Sequence, residues 1–430
     1  MVITVSHANR LRGTIHVPGD KSISHRGVIF GALAQGTTRL DNFLMADDCI
    51  NTIRIFGQMG IDIDIKGHNT VVVQGKGIYG LSAPEVQLDA GNSGTTARLL
   101  MGLLTGQDFD SILTGDDSLK RRPMDRVVIP LREMGAQLMG IENKEFLPMA
   151  VKGSRAKLQS IDYTMPVASA QVKSSLILAS MYADKSSRIH QPAISRNHTE
   201  IMLETFGGRI HTNEKTITTY PEPTLYGQDL LIPGDISSAA YFITAALLTP
   251  DSEIVLKNVG INPTRSGILD VYKSMGASIS IERIHSGGKE PSADIIVKGS
   301  PLKGTVVEGS LIPRLIDELP IIALAATQAE GTTLIKDAEE LKVKESNRID
   351  STVGILKEFG ANIEATPDGM IIEGPTVLFG TQHRPGSDHR MVMMATIAGL
   401  IAQGSTTIHD ANWVNISYPG FFEQVEALRC

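Results

Sequence analysis

A chain of 430 residues, 42% hydrophobic and 20% charged, is long enough for two cores and too apolar to be disordered. Its net charge of −7, with 5% aromatic residues and no interleaved basic–aromatic pattern, argues against a nucleic-acid partner. Two cysteines (Cys49 and Cys430), no signal-like start and no apolar run longer than Met391–Ala402 point to a cytoplasmic protein with no membrane partner.

In chain order, one half-unit recurs six times: a small polar start, an Ala/Leu-rich helix, a polar turn and a Thr/Val/Ile strand. It runs over Ser24–Leu40, Ser93–Leu113, Ser169–Ile189, Ser237–Leu256, Pro320–Ile335 and Asp388–Ile408. Apolar residues cover most of each helix, which predicts buried helices. The other half-unit is an amphipathic helix ending in glycine, then an alternating strand pair. Its endings are Gly60, Gly135, Gly207, Gly276 and Gly360, where a helix C-cap needs a left-handed residue.

A sixth such helix, Tyr418–Leu428, runs out of chain before its strands. The missing pair, Val2–Val5 and Gly13–Val17, stands at the other end, so the N-terminus is expected to complete the last repeat. The fold class is therefore α/β, with three repeats in residues 20–233 and three in 1–19 plus 234–430. Val17-Pro18-Gly19-Asp20 recurs as Ile232-Pro233-Gly234-Asp235 at the two expected crossings. The paired segments read either as a double hinge or as two similar helix-start turns.

The run Gly19-Asp20-Lys21-Ser22-Ile23-Ser24-His25-Arg26 concentrates cations and hydroxyls where a helix begins. On an acidic chain this suggests a small phosphorylated or carboxylated ligand. It is not a P-loop, because Asp20 separates Gly19 from Lys21. Further polar clusters precede other helices: Gly91-Asn92-Ser93-Gly94-Thr95-Thr96, Lys120–Arg126, Ser169-Ala170-Gln171-Val172-Lys173 and Arg196-Asn197-His198-Thr199-Glu200. Arg122, ahead of Pro123, is held out of the helical region. Later come Asp317-Glu318, Lys344-Glu345-Ser346-Asn347-Arg348 and Ser387-Asp388-His389-Arg390. Taken singly, Asp317-Glu318 reads as a helix cap, and Lys344 with Arg348 as a surface pair on one helix face. No His/Cys cluster has metal-ligand spacing.

Together, in order along nearly the whole chain, these segments closely resemble the 5-enolpyruvylshikimate-3-phosphate synthase family. Gly-Asp-Lys-Ser, Ser169–Lys173, Arg196–Glu200 and Asn262-Pro263-Thr264-Arg265 are similar to its glyphosate-insensitive class II branch. The resemblance implies a two-domain, inside-out α/β barrel-like fold of six βαβαββ repeats. It implies transfer of the enolpyruvyl group of phosphoenolpyruvate to the 5-hydroxyl of shikimate 3-phosphate, with release of phosphate, in an interdomain cleft. No cofactor and no metal are implied, the small-molecule substrates and the inhibitor glyphosate are the expected partners, and a monomer is expected.

By the same resemblance, Lys21, Ser22 and Arg26 bind shikimate 3-phosphate, helped by Ser169, Gln171, Arg196 and Lys344, and Asn92 is a further substrate-binding residue. Lys21, Gly94, Arg122, Gln171, Arg348 and Arg390 hold phosphoenolpyruvate. Asp317 is the base for the 5-hydroxyl, and Glu345 with Lys21 handles the proton at the methylene carbon. Two departures stand out. Asn412 replaces a lysine of many class I relatives, and Ala170 replaces their serine. A UDP-N-acetylglucosamine enolpyruvyl transferase is disfavoured because Ser111–Arg126 contains no cysteine. A non-catalytic anion binder is disfavoured because Asp317 and Glu345 add carboxylates to the basic set.

Overall fold

The structure, a computed structural model, describes residues 1–140, 144–285 and 289–430. The chain divides into two compact units, Gly19–Ile232 and Met1–Pro18 with Pro233–Cys430. Each has its own hydrophobic core. The chain passes from one unit to the other within both Pro-Gly-Asp segments.

In the Gly19–Ile232 unit, the helices Lys21–Leu33, Gly94–Leu104 and Ala170–Ser180 are buried on nearly every side. Such helices need small residues where backbones meet. A Cβ on Gly102 would lie 2.0 Å from the carbonyl oxygen of Ser175, so only glycine allows this approach. The side chains of Asp20, Ser93 and Ser169 accept from the backbone N–H groups of Ile23, Thr96 and Val172. Caps of this kind contribute about 1 kcal/mol each and fix where each helix begins.

Among the described residues, three four-stranded sheets accompany these helices. In the second repeat, Leu88–Asp89 runs parallel to Ser111–Thr114, which pairs antiparallel with Met149–Lys152 and, beyond it, Gln137–Gly140. Strands such as Thr216–Thr219 bury alternate residues, so each sheet offers one face to the core. Helices therefore lie inside and sheets outside.

The other unit repeats the plan with the helices Ile236–Leu248, Leu319–Ala326 and His389–Ile401. Among the described residues it has two four-stranded sheets and one three-stranded sheet. Ile3–Ser6 pairs antiparallel with Ser405–Ile408, completing the last repeat from the other end of the chain. Its expected companion goes elsewhere. Arg12–Ile15 runs parallel to Glu253–Leu256, in the sheet of the fourth repeat.

The reason lies at the crossings. In an uninterrupted repeat the strand before the buried helix lies parallel to the strand after it. The helix after Arg12–Ile15 belongs to the other unit, so this strand takes the place left by Asp229–Leu231. Asp229–Leu231 in turn runs parallel to Gln35–Asp41. The two crossings thus exchange edge strands, and the sheet of the last repeat keeps three strands.

The five expected C-cap glycines, Gly60, Gly135, Gly207, Gly276 and Gly360, all have φ between 83° and 99°. A side chain there would be strained, so the glycine ends the amphipathic helix and turns the chain into its strand pair.

Candidate functional site

In each unit the chemistry-bearing residues gather at two kinds of place. One is the N-terminal end of a buried helix, where backbone N–H groups are unpaired and the dipole favours an anion. The other is the start of the amphipathic helix of the same repeat.

In the Gly19–Ile232 unit, Lys21 opens the first buried helix and its ammonium pairs with Asp48, on the amphipathic helix Asp47–Gln58. Arg26, only 3% exposed, donates from Nε to Thr199 Oγ1 (2.6 Å), from Nη2 to Ser174 Oγ (2.8 Å) and from Nη1 to the carbonyl of Ser22 (3.0 Å). It therefore ties together the starts of three helices. His25 is fully buried, with Nδ1 2.7 Å from Thr52 Oγ1. Burial above all, then Lys21 and Arg26, holds its pKa well below the ordinary 6.5, so the imidazole is neutral at physiological pH.

At the second buried helix, Arg122 Nη2 donates to Asn92 Oδ1 (3.4 Å), and Asn92 Nδ2 donates to Asp116 (2.7 Å). The backbone of Arg122 is extended, as Pro123 requires. Arg98 Nη1 donates to Gln171 Oε1 (2.5 Å), and Gln171 Nε2 donates to Thr95 Oγ1 (3.1 Å). A Cβ on Gly94 would lie 3.1 Å from Arg122 Nη1 and 3.4 Å from Arg98 Nη1. This glycine lets two guanidinium groups come close to the backbone at the helix start. Ser169 caps the third buried helix, and Arg196 is half-buried two residues before the helix His198–Thr205.

In the second unit the charges interlock. Asp317 Oδ1 lies 3.1 Å from Arg348 Nη1 and 3.7 Å from Lys344 Nζ. Its Oδ2 lies 3.9 Å from Arg390 Nη2 and 4.0 Å from Arg265 Nη1. Arg348, 1% exposed, also pairs with Glu345 and, through Nε, with Asp388 Oδ2 (2.9 Å). Burial would release the Arg348 proton, but Asp388, Glu345 and Asp317 outweigh it and hold the guanidinium charged. Burial likewise pushes the Asp388 carboxyl up, and Arg348 pulls it further down, below 3.8. Asp388 caps its helix by accepting from Arg390 N–H (3.0 Å). For Arg390 too, burial is overcome, chiefly by Asp317, and the charge is retained.

Two local expectations are corrected. Lys344 and Arg348 do not share a helix face, because the helix begins at Arg348 behind an Asn347 cap; they meet instead around Asp317. Their pairs are largely buried, not surface pairs. Nor does Glu318 cap its helix; its buried carboxylate accepts from Ser237 Oγ.

Sequence reasoning left Asp48 and Arg265 out of the site. Arg265 Nη2 donates to Ser237 Oγ (2.6 Å) and lies 3.3 Å from Asp235, in the second Pro-Gly-Asp segment. The repeat itself carries the signal that finds it. Arg122, Arg196, Arg265 and Arg348 each stand within three residues of the start of an amphipathic helix.

A sequence model of the family described as EPSP synthase (3-phosphoshikimate 1-carboxyvinyltransferase) matches residues 5–425. A protein of Thermoanaerobacter sp. (strain X514) named 3-phosphoshikimate 1-carboxyvinyltransferase is 55% identical over 428 residues, covering 100% of both chains. One of the same name from Desulforudis audaxviator (strain MP104C) is 50% identical over 430 residues, again covering 100% of both. Among solved structures, EPSP synthase from Acinetobacter baumannii is similar with a TM-score of 0.89 and 41% identity, over 100% of this chain and 98% of that one. The enolpyruvyl transferase NikO from Streptomyces tendae, 17% identical with a TM-score of 0.79 over 99% and 97% of the two chains, shares the fold. Matches of this length and identity, on a chain whose clusters stand in the family's order, settle the assignment: the chain belongs to the EPSP synthase (3-phosphoshikimate 1-carboxyvinyltransferase) family.

Proposed function

We propose how the residues above divide the work of the family's reaction. The chain is an enolpyruvyl transferase of the shikimate pathway. Its substrates are shikimate 3-phosphate and phosphoenolpyruvate. The Gly19–Ile232 unit supplies Lys21, Ser22, Arg26, Ser169, Gln171 and Arg196 to shikimate 3-phosphate, joined by Lys344, and Asn92 is a further substrate-binding residue. Lys21, Gly94, Arg122, Gln171, Arg348 and Arg390 hold phosphoenolpyruvate. Charge-assisted and bidentate contacts suit its phosphate and carboxylate.

The observation that carries this reading is Asp317, with Lys344, Arg348, Arg390 and Arg265 all within 4.0 Å of its carboxylate. The 5-hydroxyl oxygen attacks the substituted carbon of the enolpyruvyl group, its proton passes to Asp317, and the methylene carbon gains a proton. Glu345 and Lys21 carry that proton. The same pair takes a proton back from the resulting methyl group as phosphate leaves, which restores the double bond. Cations that turn from Asp317 to the substrate's anionic groups leave its negative charge less compensated. A less compensated carboxylate takes up a proton more readily.

Glyphosate carries a phosphonate and a carboxylate, and the cations proposed for phosphoenolpyruvate suit both. All the groups named lie in one chain, so a monomer suffices. Two free cysteines, Cys49 and Cys430, support a cytoplasmic setting, and among the described residues no helix is long and apolar enough to cross a membrane. The paired Pro-Gly-Asp crossings support a hinge that works when shikimate 3-phosphate binds. Small-angle scattering should then change on adding that ligand, and identical profiles would remove the hinge.

The central test is phosphate release from phosphoenolpyruvate. Release should require shikimate 3-phosphate, and UDP-N-acetylglucosamine should not replace it. Equal release with either acceptor would overturn the reading.

A further inference from the structure

We propose that the buried Lys173–Glu200 ion pair is a positioning device for shikimate 3-phosphate. It locks the Arg196 segment against the helix start that carries Ser169 and Gln171. The inference rests on the assignment of Ser169, Gln171 and Arg196 to that substrate.

Lys173 lies in the helix Ala170–Ser180 and is fully buried. Its Nζ is 2.6 Å from Glu200 Oε1, on the helix His198–Thr205, and donates to the carbonyl of Ser195 at 3.1 Å. Ser195 is the residue before Arg196. It is held a second time by Gln191 Oε1, which accepts from its N–H (3.0 Å) and its hydroxyl (2.8 Å). Arg196 thus leaves a backbone position fixed by three bonds from the buried side. At the other end, Lys173 stands four residues after Ser169 and two after Gln171 on the same helix.

A parallel row runs beside the pair. Ser174 Oγ lies 2.6 Å from Thr199 Oγ1, and Arg26 donates to both hydroxyls. Two adjacent residues of one helix, Lys173 and Ser174, therefore meet two adjacent residues of the other, Thr199 and Glu200. Slipping either helix by one residue would strand a buried charge, so the pair admits a single register.

Stability is a poor reason for such a pair. A well-packed apolar couple in its place is often as stable or more so, because both ions give up water on burial. What an apolar couple lacks is directional hold on the Ser195 carbonyl and on the register. A binding constellation misplaced by about 1 Å loses much of its effect.

The test compares full-length variants: Lys173→Met combined with Glu200→Leu, Glu200→Asp alone, and Arg196→Ala. Calorimetric titration with shikimate 3-phosphate is run without phosphoenolpyruvate, alongside KM for each substrate and a thermal melt. The double variant should melt near the parent yet bind shikimate 3-phosphate about tenfold more weakly. Its KM for phosphoenolpyruvate, which shares only Gln171 with the residues the pair positions, should rise less than that for shikimate 3-phosphate. Glu200→Asp keeps both charges but shortens one arm, and should give a smaller loss.

A folded double variant with parental shikimate 3-phosphate affinity overturns the proposal. If the double variant does not fold, parental affinity in Glu200→Asp overturns it equally. Arg196→Ala separates the two ideas. Undiminished affinity there removes the site assignment itself, whereas loss there with none in the pair variants removes only the positioning role.

Discussion

The two units differ in the groups that hold their arginines. In the Gly19–Ile232 unit, Arg26, Arg98 and Arg122 are tethered by hydroxyls, an amide and carbonyls. A neutral tether aims a cation without cancelling its charge. In the other unit, Arg348 is shared by Asp317, Glu345 and Asp388, so cations and carboxylates are interleaved. The first arrangement favours holding an anion. The second places carboxylates among the cations, as the proposed proton transfers require. One fold, repeated three times in each unit, thus carries two kinds of charged cluster, decided by a few residues at helix starts.

Substitutions that remove this division should differ in which kinetic constant they move. The largest effect is expected at the carboxylate end. Asp317→Ala should lower turnover by about 10²–10⁴-fold if Asp317 takes the hydroxyl proton. Near-parental turnover in the phosphate-release assay would assign that proton elsewhere. Next, Lys21→Ala removes a charged donor, and KM should rise by about 10–100-fold for both substrates. A rise for one substrate alone would contradict its shared position. Gly94→Ala places a methyl 3.1 Å from Arg122 Nη1, so that guanidinium must give way. KM for phosphoenolpyruvate should rise about fivefold, with shikimate 3-phosphate little affected.

The smallest effect is on stability, and it separates the units by pH. Below 6.5 the unfolded chain takes a proton at His25 that the folded chain refuses. Stability should therefore fall as pH drops from 6.5 towards the lower folded value, and His25→Asn should flatten that fall. Asp388 behaves differently. The stabilisation it gives is complete above 3.8 and is lost only as pH falls through its lower folded value. Trp413, the single tryptophan, packs against the core of the second unit. Its fluorescence should hold steady through the mildly acid range in which far-ultraviolet circular dichroism of the whole chain begins to change. Simultaneous loss of both signals would show that the units do not respond separately.

Much of this was legible beforehand. The C-cap glycines and the polar helix starts at Ser93, Ser169 and Asp388 are local features, set by the conformation of one residue and the N–H groups beside it, whereas the first buried helix begins at Lys21 behind Asp20, ahead of the expected Ser24. Helix burial was legible too, because an Ala/Leu-rich surface has no polar face to turn to water. The Lys344–Arg348 run misled because i,i+4 spacing implies a shared face only once a helix has started, and here Asn347 starts it late. Glu318 misled because a carboxylate at a helix start resembles a cap until a distant hydroxyl claims it, here that of Ser237, 81 residues away.

The sequence by itself determined the repeat and the residue types at each helix start, which follow from local periodicity and from side chains that must meet unpaired backbone groups. The chemistry came only through the resemblance that those residues carry. Only the tertiary structure decided that Arg12–Ile15 and Asp229–Leu231 exchange sheets, that Arg265 reaches Asp317, and that Lys173 meets Glu200 in the core. Strand exchange depends on where the chain crosses between units. A buried ion pair depends on two helices meeting in one register. Neither leaves a periodic trace in the chain, because each is selected by the cost of an unpaired edge or an unpaired charge in the folded state.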